Sequence, residues 1–450
     1  MRITPVDRWI VHPTQRFINN STTSGIVLFS SALLAIIISN SPWADAFHHF
    51  WELHFTIGFD SYEITKSLHH WINDGLMAIF FFVVGLELKR EIIGGELRNP
   101  QNAILPISAA IGGMICPALI YLIFNPEGAT TSGWGIPMAT DIAFALGVLF
   151  LLGDKVPLSL KIFLTALAIV DDIGAVLVIA FFYTSDISFV SLGTGIFFMI
   201  VLIISNLIGV RSTVYYAIIG IGGLWLAFLM SGVHATIAAV LAAMTIPADV
   251  KISEINYIKK MNLLINMFDH AEPNDNTTVT NKQLSIVDDI IIYSKEALTP
   301  LQRLEHAMHP FVAFVILPIF AFSNAGVTFS GDIFAQMSSP IFSGVFFGLI
   351  FGKVIGVFGL VMILLKFGWV RLPEGMNQLH LLGAGFLASI GFTMSIFIGG
   401  LAFKDATYIF EAKMGVLFAS IIASVVGYQI IKYANKHGRD PYDHKISLKD

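Results

Sequence analysis

Runs of about 20 mostly apolar residues recur along the whole chain, and this feature limits its possible folds more than any other. A helix of that length matches the thickness of the hydrocarbon core of a bilayer. Of the 450 residues, 55% are hydrophobic and 13% are charged, whereas a soluble domain has about 25% charged residues. A transmembrane β-barrel would instead show alternating segments of about ten residues. The chain is therefore predicted to be an all-α polytopic membrane protein.

Twelve apolar segments are candidate transmembrane helices. Their ends are marked by charged residues and by turn-forming residues. The twelve segments are residues 25–40, 68–88, 103–124, 133–152, 158–183, 189–208, 212–230, 231–247, 311–327, 341–365, 379–403 and 414–431.

The distribution of Lys and Arg predicts the orientation. With the N-terminus on the inner side, 22 of the 26 Lys and Arg residues fall in inner segments. Three lie in outer segments (Lys66, Lys404 and Lys413), and Lys353 lies within the tenth segment. Positive residues concentrate in cytoplasmic loops, and a wrong number of spans would remove this asymmetry. Twelve spans with both termini in the cytoplasm are predicted.

This topology divides the chain into five parts. They are a cytoplasmic N-terminal segment (1–24), spans one to eight (25–247), a cytoplasmic insertion loop (248–308), spans nine to twelve (309–431) and a cytoplasmic tail (432–450). Residues 51–65 alternate about a polar turn and predict a β-hairpin on the outer face. Two interpretations of this hairpin remain open, namely a contact in a homodimer or a cap on the outer face.

The insertion loop has its own pattern. Residues 256–268 and 285–298 are expected to form short amphipathic helices at the membrane interface. The acidic patch around Pro273 has the composition of a disordered segment. The loop is either an insertion that the fold tolerates or a regulatory module.

Five ionisable residues within the spans are the candidates for binding ions and protons: Asp74, Asp141, Asp171, Asp172 and Lys353. A charge at the centre of a transmembrane helix costs about 2.5–3.5 kcal/mol, so such residues are functional candidates. Carboxylate oxygens suit a small hard cation, and the same oxygens bind protons. A site that holds either species, but not both together, meets the minimal requirement of an antiporter.

Asp171 and Asp172 are adjacent on one predicted helix. Successive helical residues point about 100° apart, so the two carboxylates cannot both face the same partner squarely. One is expected to bind the cation while the other faces a neighbouring helix. Lys353 is the interior ammonium that can neutralise a carboxylate, and a pair of this kind can also simply lock two helices together.

Two of the predicted spans are interrupted by glycine and proline. The fourth contains GWGIPMATDIAFALG, in which two glycines and a proline precede Thr140 and Asp141. The eleventh contains GAGFLASIGFTMSIFIGG, with Gly391 at mid-membrane. Interruptions in two corresponding spans indicate broken helices that cross near the midplane, as in inverted-repeat transporters. Asp141 is then expected to offset the N-terminal half-helix dipoles, and Lys353 the C-terminal ones.

Several segments from the first span to the twelfth carry a resemblance. They include WINDGLMAIFFFVVGLELKRE, MATDIAFALG, LKIFLTALAIVDDIGA, SGVHAT, RLEHAMHP, LPIFAFSNAGV and GFTMSIFI. Together they resemble the NhaA family of bacterial sodium/proton antiporters, an established inverted-repeat example. The resemblance implies that Asp172, Asp171 and Thr140 form the cation site. It also implies that Asp141 and Lys353 compensate the broken-helix dipoles, and that Lys353 can pair with Asp171.

The resemblance further implies a set of residues that respond to pH. Five of them line the cytoplasmic funnel of the family, and the sixth lies in SGVHAT. The set is Glu87, Glu91, Glu305, His306, His309 and His234. A polar cap at the start of a span is the alternative explanation for His306 and His309. The long insertion before RLEHAMHP departs from relatives in which that join is shorter.

These observations predict an electrogenic, pH-regulated antiporter that exports Na⁺ or Li⁺ in exchange for H⁺ by alternating access. If Asp171 and Asp172 are both ionised when sodium is bound, one Na⁺ displaces more than one proton. The expected location is the bacterial inner membrane, so the lipid bilayer is the expected environment. No resident cofactor and no nucleic acid partner are expected.

Two other functions would also place carboxylates within membrane spans. An intramembrane aspartyl protease would pair Asp141 with Asp171, but it should contain Tyr-Asp and Gly-x-Gly-Asp segments where this chain has Thr-Asp and Val-Asp-Asp. A sodium-coupled symporter of similar architecture should show an additional polar pocket for its substrate. A secondary transporter, not an enzyme, is therefore predicted.

Overall fold

The computed structural model describes residues 21–59, 62–184, 187–271, 278–329 and 336–437. Within these ranges the chain is helical apart from one two-stranded hairpin. Most of the predicted N-terminal segment, the acidic patch around Pro273 and the tail beyond residue 437 lie outside the described residues. The all-α class predicted from the apolar segments is confirmed.

The elements ahead of the insertion follow one another through short connections. A 3₁₀ segment, Ala129–Met138, precedes α5, and short 3₁₀ turns form at Glu96–Arg98 and Gly153–Lys155. The elements are α1 (Ser21–Ser39), α2 (Ala44–Glu52), β1 (His54–Phe59), β2 (Tyr62–Ser67), α3 (Leu68–His70, π-helical Trp71–Leu76 and Met77–Gly94), α4 (Pro100–Phe124), α5 (Ile142–Phe150), α6 (Leu158–Phe182), α7 (Phe189–Ile208), α8 (Thr213–Leu229) and α9 (Ala235–Thr245).

The second half begins with two helices of the insertion. The remaining helices are again long and apolar. They are α10 (Glu254–Asp269), α11 (Asn281–Ala297), α12 (Pro300–Asn324), α13 (Pro340–Lys366), α14 (Gln378–Ala388), α15 (Phe392–Ala402) and α16 (Ala406–His437).

Seven of the described helices are long and apolar enough to cross a membrane, namely Pro100–Phe124, Ala129–Phe150 (the 3₁₀ segment with α5), α6, α7, α12, α13 and α16. The number becomes nine if each of two bent pairs, α1 with α2 and α14 with α15, forms one span. These helices coincide with predicted spans, so the chain is a polytopic membrane protein. The count of twelve stays a prediction.

Several helices extend beyond the predicted spans. The ninth predicted span starts at Phe311, but α12 begins at Pro300, because Thr299 and Gln302 form a capping box and Pro300 occupies the first turn. The last helix continues past Ile431 to His437. The predicted loop 248–308 therefore contains α10, α11 and the first turns of α12.

The hairpin lies where the sequence predicts one. Strands β1 and β2 pair in antiparallel register, with Ile57 opposite Ile64. The hydroxyls of Thr56 and Thr65 lie 2.8 Å apart across the strands. The structure therefore contains the hairpin, while its contact with a second copy stays a prediction.

Helix α6 lies inside the helical assembly. In its most apolar window, 61% of the residues are buried within the protein, against 17% for α7. The buried Leu164 and Leu167 lie on the same face of the helix as Asp171, and Asp172 is buried next to that face. A carboxylate at this depth is shielded from lipid by neighbouring helices.

Glycines let α4 and α13 approach each other closely. A Cβ on Gly112 would lie 2.2 Å from the carbonyl oxygen of Gly356. A Cβ on Gly352 would lie 2.5 Å from Cα of Pro117. No side chain fits at these contacts, so the two backbones touch. This contact fixes the position of Lys353, which lies between Gly352 and Gly356 in α13.

Candidate ion-binding site

The two interrupted segments meet at their breaks. The chain is extended at Ala139, between the 3₁₀ segment and α5, and α14 meets α15 at an angle of 43°. The backbone N–H of Asp141 donates to the carbonyl of Ile390 at 2.7 Å. The hydroxyl of Thr140 donates to the carbonyl of Ala388 at 2.8 Å. These bonds satisfy backbone groups that the breaks leave without helical partners.

Asp141 caps two helices at once. Its Oδ1 accepts the backbone N–H of Phe144 at 3.0 Å, in the first turn of α5. Its Oδ2 accepts the backbone N–H of Thr393 at 3.0 Å and the Thr393 hydroxyl at 2.5 Å, at the start of α15. The carboxylate therefore lies at the positive ends of both half-helices, and its role in compensating their dipoles stays a prediction.

Asp171 and Lys353 form a buried ion pair. Lys353 Nζ donates to Asp171 Oδ2 at 2.6 Å, and both side chains are 1% exposed. In a low-dielectric interior, removing either partner would leave an uncompensated charge. The pair joins α6 to α13, and the glycine contact between α4 and α13 holds the lysine at that height.

Among the described residues, the carboxylate of Asp172 has no hydrogen-bond partner. It is 0% exposed, and in the described part of the chain neither of its oxygens has a hydrogen-bond partner. Asp171 Oδ1 is likewise without one, and Thr140 lies beside Asp171. A buried, unpaired carboxylate requires a proton or a cation to neutralise it. The three oxygens thus offer a site for either.

Five predicted site residues therefore come together: Asp172, Asp171, Thr140, Asp141 and Lys353. Asp74 does not join them. Its Oδ2 lies 2.7 Å from Nζ of Lys66 at the base of the hairpin, and a quarter of its side chain is exposed. Asp74 is in the π-helical first part of α3, close to the hairpin, so it neutralises Lys66.

A second charged cluster lies where α3, α6 and α12 meet. Arg90 forms ion pairs with Glu305 and with Glu91, the latter at 2.9 Å. The second oxygen of Glu91 accepts the backbone N–H of Glu96 at 3.0 Å. A cavity of about 340 Å³ opens here, and Lys161, near the start of α6, lines its far wall. Two acidic and two basic side chains line this cavity, namely Glu91, Glu96, Arg90 and Lys161.

Comparison with known proteins identifies the group to which this arrangement belongs. A family model described as Na+/H+ antiporter 1 matches residues 15–431. The chain belongs to this family. The resemblance to NhaA proteins predicted from the sequence segments is confirmed.

Individual relatives match almost the whole chain. The Na(+)/H(+) antiporter NhaA of Oleidesulfovibrio alaskensis is 48% identical over 438 residues, which is 97% of each chain. Na(+)/H(+) antiporter NhaA 1 of Saccharophagus degradans is 48% identical over 435 residues, 94% of this chain and 93% of that one. The corresponding protein of Wolinella succinogenes is 47% identical over 418 residues, 92% of each. The likeness therefore includes the insertion as well as the membrane helices.

The predicted pH-response residues lie in two separate parts of the structure. Glu91 and Glu305 meet through Arg90, and Glu87 lies one turn before Glu91 on α3. His306 and His309 are exposed on the first turns of α12. Of these five residues Glu91 lines the cavity, Glu305 reaches it through its ion pair with Arg90, and the other three lie nearby on α3 and α12.

His234 lies elsewhere. Its Nε2 is 2.8 Å from the carbonyl oxygen of Tyr183, which ends α6. Lys161, which lines the charged cavity, is near the start of the same helix. His234 is thus separated from the other five by the length of α6, with the Asp171–Asp172 site between them.

Three residues that contact predicted site or pH-response residues were not themselves predicted from the sequence. Thr393 holds Asp141, Arg90 joins Glu91 to Glu305, and the hydroxyl of Tyr183 donates to the carbonyl of Ser132 at 2.7 Å. Arg90 could have been found, because it lies one turn after Glu87 on the same helix. Thr393 and Tyr183 act through contacts between segments far apart in the sequence, which no local pattern reveals.

Proposed function

We propose that this protein is an electrogenic antiporter that exports Na⁺ in exchange for H⁺ at the Asp171–Asp172 site. As a member of the Na⁺/H⁺ antiporter family, it is a sodium/proton antiporter and not an enzyme. Li⁺ is proposed as a second cargo, since a small hard cation takes the same oxygen ligands. The observation that carries the proposal is the fully buried Asp172, unpaired among the described residues, one position from the Lys353–Asp171 ion pair.

The proposed cycle alternates two ways of neutralising the same carboxylates. In the first, Lys353 pairs with Asp171 and Asp172 carries a proton. In the second, Na⁺ lies between Asp171, Asp172 and Thr140, and the protons of the first state have left. Coupled carboxylates and a paired ammonium titrate as one unit. Loading one Na⁺ can therefore release more than one proton, which moves net positive charge inward as sodium leaves the cell.

The architecture proposed around this site has twelve spans with both termini in the cytoplasm of a bacterium, in the inner membrane. The fourth and eleventh spans, interrupted at Ala139 and near Gly391, are proposed to cross as inverted repeats. Alternating access then requires one set of helices to move against the other about this crossing. The hydrogen bonds of Thr140 and Asp141 to the α14–α15 break support the proposal.

We propose that the charged cavity regulates transport by pH. Arg90 ties α3 to α12 through Glu305, so protonation of the glutamates or of the nearby histidines would change how these helices are held. Histidine titrates close to cytoplasmic pH. His234 would act separately, through Tyr183 at the opposite end of α6.

The test uses purified protein in proteoliposomes with equal pH on both sides and a potassium-diffusion potential. An inside-positive potential should accelerate uptake of radioactive sodium, and an inside-negative potential should slow it. Each net charge moved is equivalent to about 2.3 kcal/mol per 100 mV. Lumenal pH should rise as sodium enters.

Two results would contradict the proposal. Sodium uptake that ignores the sign of the potential would mean one-for-one exchange, and the displacement of more than one proton would be wrong. Sodium uptake without lumenal alkalinisation would exclude antiport and favour a symporter. Liposomes with the Asp172→Asn variant supply the background rate.

A further inference from the structure

The insertion folds into a helical hairpin that the transport site does not use. Helices α10 and α11 run antiparallel, and Leu264, Ala271 and Ile286 form a small core between them. The hydroxyls of Tyr257 and Ser294 lie 3.1 Å apart across the hairpin. This core is separate from the two larger cores of the membrane helices. The hairpin is therefore a unit of its own.

One side of α10 is apolar and exposed. Ile255, Ile258 and Ile265 are 67%, 51% and 58% exposed. From their spacing, these isoleucines lie about 100° around the helix from the face that packs on α11. They form a stripe along one flank of the helix, and α11 does not cover it.

Helix α11 continues the stripe. Leu284 and Ile291 are 48% and 45% exposed and lie about 130° around α11 from its packing face. The displacement has the same rotational sense as on α10. Because the two helices are antiparallel, side chains displaced in the same sense fall on the same side of the hairpin. The five residues together make one apolar side, which we call the isoleucine side.

The hairpin is tied closely to the membrane helices. Leu301 N–H, in the first turn of α12, donates to the carbonyl of Pro247, just beyond α9, at 3.2 Å. Lys251 N–H donates to the carbonyl of Glu296 at 3.2 Å, and the two side chains form an ion pair. Only Leu298 and Thr299 separate α11 from α12. The hairpin therefore starts at the ends of membrane helices and cannot move far from the bilayer.

We propose that the hairpin lies on the membrane with its isoleucine side inserted in the nearest leaflet, the cytoplasmic one in the proposed orientation. Leu298, 51% exposed at the base of the hairpin, extends the apolar side toward α12. The base of the hairpin thus carries an exposed apolar side chain next to the ends of α9 and α12. An amphipathic helix held at this boundary binds by burying its apolar face among the headgroups and upper acyl chains. This inference does not depend on the transport mechanism.

The positions of the charged residues indicate how the hairpin would bind to the membrane. Lys260, whose Nζ lies 4.8 Å from the centroid of the Tyr293 ring, and Lys282 lie away from the isoleucine side. Asp289 lies on the same opposite side. From the same helical spacing, Lys259 lies at the outer edge of the isoleucine side on α10, and the exposed Asp288 and Lys295 lie at its outer edge on α11. The edge of the side that meets the lipid therefore carries two lysines and one aspartate spread over α10 and α11, which do not form a basic cluster. Binding is expected to depend on apolar burial, and to be insensitive to salt and to anionic lipid.

The opposite side supplies matched control positions. Leu263, Met267 and Ile292 are 52%, 49% and 51% exposed, close to the values on the isoleucine side. They lie beside the charged residues on that opposite side. Apolar positions of similar exposure can thus be compared while only the side of the hairpin changes.

The experiment places a single environment-sensitive fluorophore on either side of the hairpin. The lone cysteine is removed as Cys116→Ser, and the full chain then receives Ile258→Cys, Ile265→Cys or Ile291→Cys. Leu263→Cys, Met267→Cys and Ile292→Cys are the controls. Each labelled protein is placed in nanodiscs that hold one copy, with phospholipids spin-labelled on the upper acyl chain. The isoleucine side should be quenched about threefold more strongly than the controls, equally at low and high salt.

Equal quenching on the two sides would overturn the proposal. Weak quenching on both sides would show that the hairpin stands away from the lipid. A fluorophore on the isoleucine side that is shielded only when two copies share a disc would assign this surface to a second copy of the chain, which also contradicts insertion. Retained sodium exchange in each labelled protein shows that the fold is intact.

Discussion

At the scale of single residues, three aspartates within one site have three different surroundings. Asp141 accepts three hydrogen bonds at two helix starts, Asp171 pairs with Lys353, and Asp172 has no partner among the described residues. The same side chain thus serves as a cap, as the partner of an ammonium and as the group free to bind. The surroundings assign the role of each carboxylate.

Asp172→Asn is expected to abolish sodium-driven proton movement. A neutral amide cannot supply the charge that a dehydrated sodium ion requires, and it cannot exchange a proton with water. The measurement is the fluorescence of a pH dye in vesicles after addition of sodium. The variant should insert and unfold like the original protein, since no described hydrogen bond is lost. Near-normal exchange would remove Asp172 from the cation site.

Thr393→Val tests how Asp141 is held. The substitution removes one donor from a buried carboxylate and keeps the size of the side chain, so the free energy of unfolding should fall by about 1–3 kcal/mol. Thermal unfolding in detergent and the apparent sodium affinity are the measurements. Thr245→Val is the control, because the buried Thr245 hydroxyl donates only to Ala242 in its own helix. Equal losses in both variants would argue against a special role for Thr393.

At the scale of elements, the site depends on helices that approach one another more closely than side chains allow. Helices α4 and α13 touch through Gly112 and Gly356, and a Cβ on Gly174 of α6 would lie 2.0 Å from Sδ of Met114 in α4. Small residues at helix contacts are the usual means of close packing in a bilayer. The Lys353–Asp171 distance is therefore set partly by residues that carry no charge.

Gly112→Ala should disturb this contact. The new Cβ would lie 2.2 Å from a backbone oxygen, which cannot rotate away, so α13 must shift. Overpacking of this kind costs about 1–3 kcal/mol of folding free energy, and the rate of sodium exchange should fall as Lys353 moves. Gly193→Ala is the control, because nothing lies within 4 Å of a Cβ at that glycine of α7. Unchanged stability and exchange in Gly112→Ala would show that the backbones do not touch.

At the scale of the whole molecule, the transport site and the insertion are physically separate. The site lies on α5, α6, α13 and the α14–α15 break, whereas the hairpin follows α9 and precedes α12. The hydrogen bond between Lys251 and Glu296 brings the two ends of the hairpin together. The hairpin can therefore be removed without stretching the chain.

Replacing residues 252–295 by a short Gly-Ser linker should leave the maximal rate of sodium exchange unchanged. No residue of the proposed cation site lies in this segment, although α12, with Glu305, starts close to it. A shift of the pH profile is compatible with this expectation, because the hairpin is attached to α12. The measurement is exchange against pH in proteoliposomes. Loss of exchange in a variant that unfolds at the original temperature would show that the hairpin is essential.

Much of the site could be predicted because charge within apolar segments is conspicuous. The hydrophobic runs contain few charged residues, so four of them are easily recognised: Asp141, Asp171, Asp172 and Lys353. The structure places these four together. Asp74 is also a candidate from the sequence, because it too lies in an apolar run. Its partner Lys66 lies eight residues earlier, on the hairpin. The depth of Asp74 in the membrane depends on the residue at which α3 begins.

The sequence by itself determined that the chain is helical, that it is embedded in a membrane and that its polar chemistry lies in a few carboxylates and one lysine. Those conclusions follow from transfer free energies of individual residues, which are local. Only the tertiary structure decided which carboxylate Lys353 neutralises, that Thr393 holds Asp141 and that one side of the insertion hairpin is apolar. These features depend on contacts between segments up to about 250 residues apart, as for Asp141 and Thr393. Their geometry is set by close helix packing, which no single segment contains.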